Sequence, residues 1–78
     1  MTNEQAAQWA RQQGRQAGDV NRAMGIRARG WLATKAWHES GSQNPNAWWP
    51  VVQQIGLEPA RQVFEKGLTE GQEGSYLP

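Results

Sequence analysis

"VNRAMGIRARGWLATKAWHES", residues 20–40, is the longest periodic stretch of the chain, and whether it is continuous decides the fold. Ala23, Ile26, Gly30, Ala33 and Trp37 recur at alternating spacings of three and four, the seam of a helix. Val20, Met24, Ala28, Trp31 and Leu32 form a second stripe on another side. A helix apolar on two sides is normally buried on two sides. Asp19 is a good N-cap for this segment. Against continuity, Gly25 and Gly30 each cost roughly 1 kcal/mol relative to alanine inside a helix. Either another backbone packs close at those glycines, or the helix breaks there.

On the N-terminal side, "TNEQAAQWARQQGRQAG" opens with Thr2 and Gln5 at capping-box spacing. Ala, Gln and Arg sustain a helix of about 13 residues by propensity. Its apolar face is thin: Ala6, Trp9, Ala10 and Ala17. Gly14 weakens it, and Gly18 suits a C-terminal stop.

On the C-terminal side, "SGSQNPN" reads as a linker of turn formers. Asn44 can then cap a short helical turn with Pro45 at its first position. Trp49 precedes Pro50, which biases it away from helical angles. Pro50 can open a short helix through Ile55, closed by Gly56, with Trp48, Val52 and Ile55 on one face. Pro59 starts a last helix whose apolar side holds Val63, Phe64 and Leu68. No strand alternation occurs. The sequence therefore predicts an all-α fold, a small bundle of three to four short helices. It occupies residues 1–68 as a single domain, and residues 69–78 form an extended tail.

The bulk composition limits how such a bundle is stabilised. Leu, Ile, Val and Phe number only 11 of 78 residues, and alanine supplies 10 of the apolar positions. Net charge is +1, so the high charge of disordered chains is missing. Five tryptophans supply large buriable area instead. With no cysteine, neither a disulfide nor a thiolate metal site is expected. No apolar run approaches membrane-spanning length, and the N-terminus lacks a signal-peptide pattern. These features predict a cytoplasmic protein, or one housed inside a larger assembly such as a virion.

Catalytic constellations are not apparent. His38 is the only histidine; beside Glu39, Ser40 and Ser42 it sits at spacings that do not face one another on a helix. Its expected role is at a helix C-terminus, where a partly cationic imidazole is favoured. The carboxylates are scattered, so no metal or cofactor site is expected. Arg15, Arg22, Arg27 and Arg29 read as a solvated basic face that could also contact phosphates, with Trp31 free to stack on a base.

"GRQAG" followed by "RARGWLATKAW" faintly resembles ribosome modulation factor, a family of small helical proteins that bind the ribosome. The resemblance spans residues 10–40 and rests on Gly14, Ala17, Gly18, Trp31, Leu32 and Trp37. The family's aromatic-proline element and second glycine pattern are absent between those parts, and no site residue is carried over.

The tryptophans are the sharper signal. Trp9, Trp31 and Trp37 are expected in the core with Met24, Phe64 and Leu68. Trp48 and Trp49 are adjacent and must point differently, so one enters the core and the other faces out. The expected function is non-enzymatic protein binding, to another protein or a second copy. The predicted contact residues are Trp48, Trp49 and Trp37, rimmed by Arg27 and Arg29. Nucleic acid is the alternative partner, and no membrane partner is expected.

Overall fold

The computed structural model describes all residues, Met1–Pro78. The four helices are α1 (Asn3–Ala23), α2 (Trp31–Gln43), α3 (Pro45–Ile55) and α4 (Leu57–Glu73). The all-α reading holds, but most of its helix boundaries move.

α1 begins at the predicted capping box. The Gln5 amide donates to Thr2 Oγ1 at 3.1 Å, and the Thr2 amide donates to Gln5 Oε1 at 2.9 Å. The helix then runs through Gly14 and Gly18, so Gly18 is not its stop and Asp19 is not a new N-cap. α1 lies parallel to α4, with Arg11 and Arg15 beside Gly67 and Gly71, and Gly14 and Gly18 beside Phe64, Leu68 and Gly71. A methyl group at any of these four glycines would overlap backbone atoms of the opposite helix. Two helices touch this closely only where side chains are missing. The conformational cost of glycine in a helix is offset there by backbone-to-backbone packing.

The long periodic segment does break. α1 ends at Ala23 with Met24 as its C-cap, and Gly25 and Gly30 adopt φ of 72° and 59°. Glycine reaches those angles without the Cβ penalty other residues meet. Nothing lies within contact distance of either one, so the break, not a close approach, explains these two glycines.

The predicted linker shrinks to one residue. α2 continues through Ser40–Gln43, and Asn44 alone separates it from α3. Its amide donates to the Ser40 carbonyl, and its carbonyl accepts from Trp48, both at 3.0 Å. Pro45 takes the first helical position as expected, but α3 then passes straight through Pro50. The proline bias on Trp49 is overridden. Pro50 and Asn46 are both exposed, so water can serve the carbonyl that Pro50 leaves without a donor. α4 likewise extends to Glu73, five residues past Leu68, where the sequence predicts extended chain. The segment after it also docks. Tyr76 donates its hydroxyl to Asp19, and the Arg15 guanidinium lies 4.7 Å from the Tyr76 ring centroid.

Trp48 is the hub of the core. Its ring meets Trp9 and Trp37 edge to face, each with centroids 4.7 Å apart, and Phe64 at 5.9 Å. Its indole N–H donates to Ser40 Oγ at 3.0 Å, so no buried donor is stranded. Ala6, Ala10, Ala60 and Val51 close around the rings with no exposed surface. Trp31 and Met24, expected in this core, are exposed instead. The helix break turns their stripe away from it.

Alanine substitution tests the packing argument by opposing effects. Gly67→Ala would drive a methyl into the Arg11 carbonyl and should cost about 3 kcal/mol. Gly41→Ala, in an open position of α2, should stabilise by about 0.5–1 kcal/mol. Denaturant melts of the two variants should move in opposite directions.

Candidate functional site

The outer face of α2 is exposed along much of its length. Trp31, Lys35, His38 and Ser42 follow one another at helical spacing along it. They line a shallow hollow of about 540 Å³. A second hollow, about 390 Å³, joins it at His38 and Ser42 and is walled by Trp49, Val52 and Leu57. The two exposed indoles thus stand at opposite ends of one surface, Trp31 at 72% exposure and Trp49 at 61%. α2 is held lightly; only Ala33 and Trp37 are buried from it.

Beyond Trp31 lies the α1–α2 loop. Met24 and Ile26 are exposed there, with Val20 on the last turns of α1 and Leu32 on the first turn of α2. Arg27 and Arg29 are exposed on either side of the buried Ala28. Every other arginine meets a carboxylate: Arg11 and Arg15 meet Glu70, Arg22 meets Asp19, and Arg61 meets Glu58 and Glu65. Arg27 and Arg29 meet none. α2 also opens with no acidic residue in its first turn. The positive end of its dipole therefore adds to the two guanidinium charges.

Of the residues predicted to bind a partner, the structure keeps three at the surface and withdraws two. Trp49, Arg27 and Arg29 are exposed. Trp37 and Trp48 are 6% and 3% exposed, and their rings are spent on the core. The reason is the aromatic cluster, which needs both indoles to fill the space left by so many alanines. Trp31, expected in the core, belongs to the surface instead. The break at Gly25 and Gly30 separates its helix from α1, and only Ala33 and Trp37 of α2 then face the core. Gln72, whose side chain bonds to both backbone groups of Ala28 in the loop, has no sequence signal in a stretch without periodicity.

His38 is exposed near the middle of α2's outer face, away from the helix end. Ser40 is engaged with Trp48, which takes it out of any arrangement with His38. No three His, Asp or Glu side chains gather in a metal-binding group. No helix is long and apolar enough to cross a membrane.

The strongest electrostatic feature lies away from this face. Glu70 accepts from Arg11 and also, at 2.9 Å, from Arg15 Nε. These bonds, the one from Arg11 foremost, hold its carboxyl well below the ordinary carboxylate value, at about 2. The same contact raises Arg11. Hydrogen bonding to Arg61 lowers Glu58, and hydrogen bonding to Asp19 raises the Tyr76 phenol. The Glu70 group ties α1 to α4 alongside the glycine contact and so supports the scaffold on which the face is built.

No known family model, curated protein or solved structure matches this chain, so the resemblance of residues 10–40 to ribosome modulation factor has no counterpart there.

Two outcomes are expected from this geometry. Trp48→Ala should cost about 3–5 kcal/mol, whereas Trp31→Ala and Trp49→Ala should each change stability by no more than about 0.5 kcal/mol in thermal melts. Glu70 binds its proton less readily folded than unfolded. Its contribution is therefore complete above the ordinary carboxylate value of 4.5 and is lost as pH falls toward about 2. Glu70→Gln should cost about 1–2 kcal/mol at neutral pH and flatten the acid limb of the stability curve over that window.

Proposed function

We propose that this chain is a non-enzymatic protein-binding module that uses the outer face of α2. The observation that carries the reading is the pair of exposed indoles, Trp31 and Trp49, each lining one of two shallow hollows that adjoin at His38 and Ser42. A soluble fold that seals Trp9, Trp37 and Trp48 against one another gains nothing for its own core from leaving two more in water. Tryptophan and arginine are the side chains most enriched at the energetic centres of protein interfaces. Indoles on helices lose little freedom when they dock, which favours tight contact over a small area. Such a module fits an accessory role, as an inhibitor occupying a surface of a host protein or as a minor subunit of a larger assembly. That assignment extends to a cytoplasmic or virion setting.

A second reading, binding to RNA, draws on Arg27 and Arg29 beside Trp31, where a base could stack while the guanidinium groups meet phosphates. The aliphatic surroundings of Met24, Ile26 and Leu32 and the net charge of +1 favour protein.

A photo-crosslinking side chain at Ser42, midway between the indoles, tests both readings in cells of the source. One discrete protein adduct is expected, lost when Trp31 and Trp49 are both replaced by alanine and retained at moderate salt. An RNA adduct that disappears steeply with salt would support the second reading instead. Adducts indifferent to both tryptophans would overturn the assignment of this face.

A further inference from the structure

Gln72 lies on α4, one residue beyond Gly71, where the two long helices touch. It is 6% exposed, and every polar atom of its side chain is engaged. Its Oε1 accepts from the Ala28 amide at 2.7 Å and from Asn21 Nδ2 at 2.9 Å. Its Nε2 donates to the Ala28 carbonyl at 3.2 Å. One side chain thus grips both backbone groups of one loop residue, as a neighbouring β-strand would. Ala28 is drawn inward against Ala33 and Leu68. Its neighbours Arg27 and Arg29 are left on the outside.

We propose that Gln72 is a positioning residue that preorganises Arg27 and Arg29 as a two-armed receptor for carboxylates, and that the occupant is an acidic segment of the partner protein. This rests on the protein-binding reading of the α2 face and names the chemistry at one end of it. The argument for an acidic occupant is charge complementarity. The fold supplies a carboxylate to Arg11, Arg15, Arg22 and Arg61 and to neither loop arginine. Guanidinium groups pair with carboxylates in bidentate geometry, and the pairing is favourable when the arms are held in place beforehand. Ile26 and Trp31, on either side of the two arginines in sequence, are also exposed, which suits an acidic segment carrying an aliphatic residue. Without Gln72 the loop would sample other shapes, and affinity would fall by the fraction of time the receptor is assembled.

The test is a nuclear magnetic resonance titration of the full chain. The probes are an acetylated Glu-Glu-Leu-Asp-Glu peptide, its Gln/Asn counterpart, and a 12-nucleotide oligo-uridylate. The acidic peptide is expected to shift the Arg27 and Arg29 Nε–H signals and the Trp31 indole signal, and the amide counterpart to leave them in place. Arg27→Gln with Arg29→Gln should abolish the shifts. Gln72→Leu should weaken binding about tenfold while the α1 and α4 signals remote from position 72, such as those of Ala6, Ala10 and Ala60, stay put. In the unmodified chain the Ala28 amide should exchange with solvent as slowly as a helical amide, a readout that needs no variant to fold.

Fast exchange at Ala28, or undiminished binding by a folded Gln72→Leu chain, would overturn the positioning role alone and leave the face intact. Absence of shifts with the acidic peptide, or tighter binding of the oligo-uridylate, would overturn the acidic occupant. The protein-binding reading itself is decided separately, by the Ser42 crosslink.

Discussion

The closeness of α1 to α4 governs the rest of the molecule. Gly14, Gly18, Gly67 and Gly71 bring two parallel helices so near that a single methyl at the seam would collide with main chain. This packing replaces the bulk that a chain with so few large aliphatic residues lacks. Dispersion between close-packed backbones is summed over many atom pairs, each weak, and demands no large side chains. Arg11, Arg15 and Glu70 then brace the same seam from its rim.

Because α1 and α4 run parallel, the chain between them must travel back the length of the molecule. α2 and α3 make that return, and they bring Trp37 and Trp48 under Trp9 and Phe64. The aromatic cluster packs against Ala6 and Ala10 of α1 and Ala60 of α4, toward the other end of the helix pair from Gly18 and Gly71. It draws on α1, α2, α3 and α4 alike, so it ties the light α2–α3 hairpin to the rigid pair. The outer face of α2 is left over by this arrangement. Burying Trp37 on one side of that helix fixes Trp31, Lys35, His38 and Ser42 on others.

The seam also reaches the surface loop. Gly71 sits against Gly18, and its neighbour Gln72 therefore stands within reach of Asn21 and Ala28. The contact that stabilises the scaffold is in this way continuous with the one that shapes the loop carrying Arg27 and Arg29. A binding surface built on such support keeps its geometry without a large core of its own.

Helical class, the capping box at Thr2, Pro45 at a first helical position and Gly56 at the end of α3 were all determined by the sequence, because each depends on neighbours within a turn or two. So was the prospect of a break at Gly25 and Gly30, although local propensity alone left it undecided. Only tertiary structure decided which glycines interrupt helices and which join them. Gly18 and Gly25 look alike in sequence, but one faces the backbone of α4 and the other faces water. The same reason separates the tryptophans. Periodicity places an indole on a side of a helix, and only the position of a second helix, distant in sequence, determines whether that side is covered.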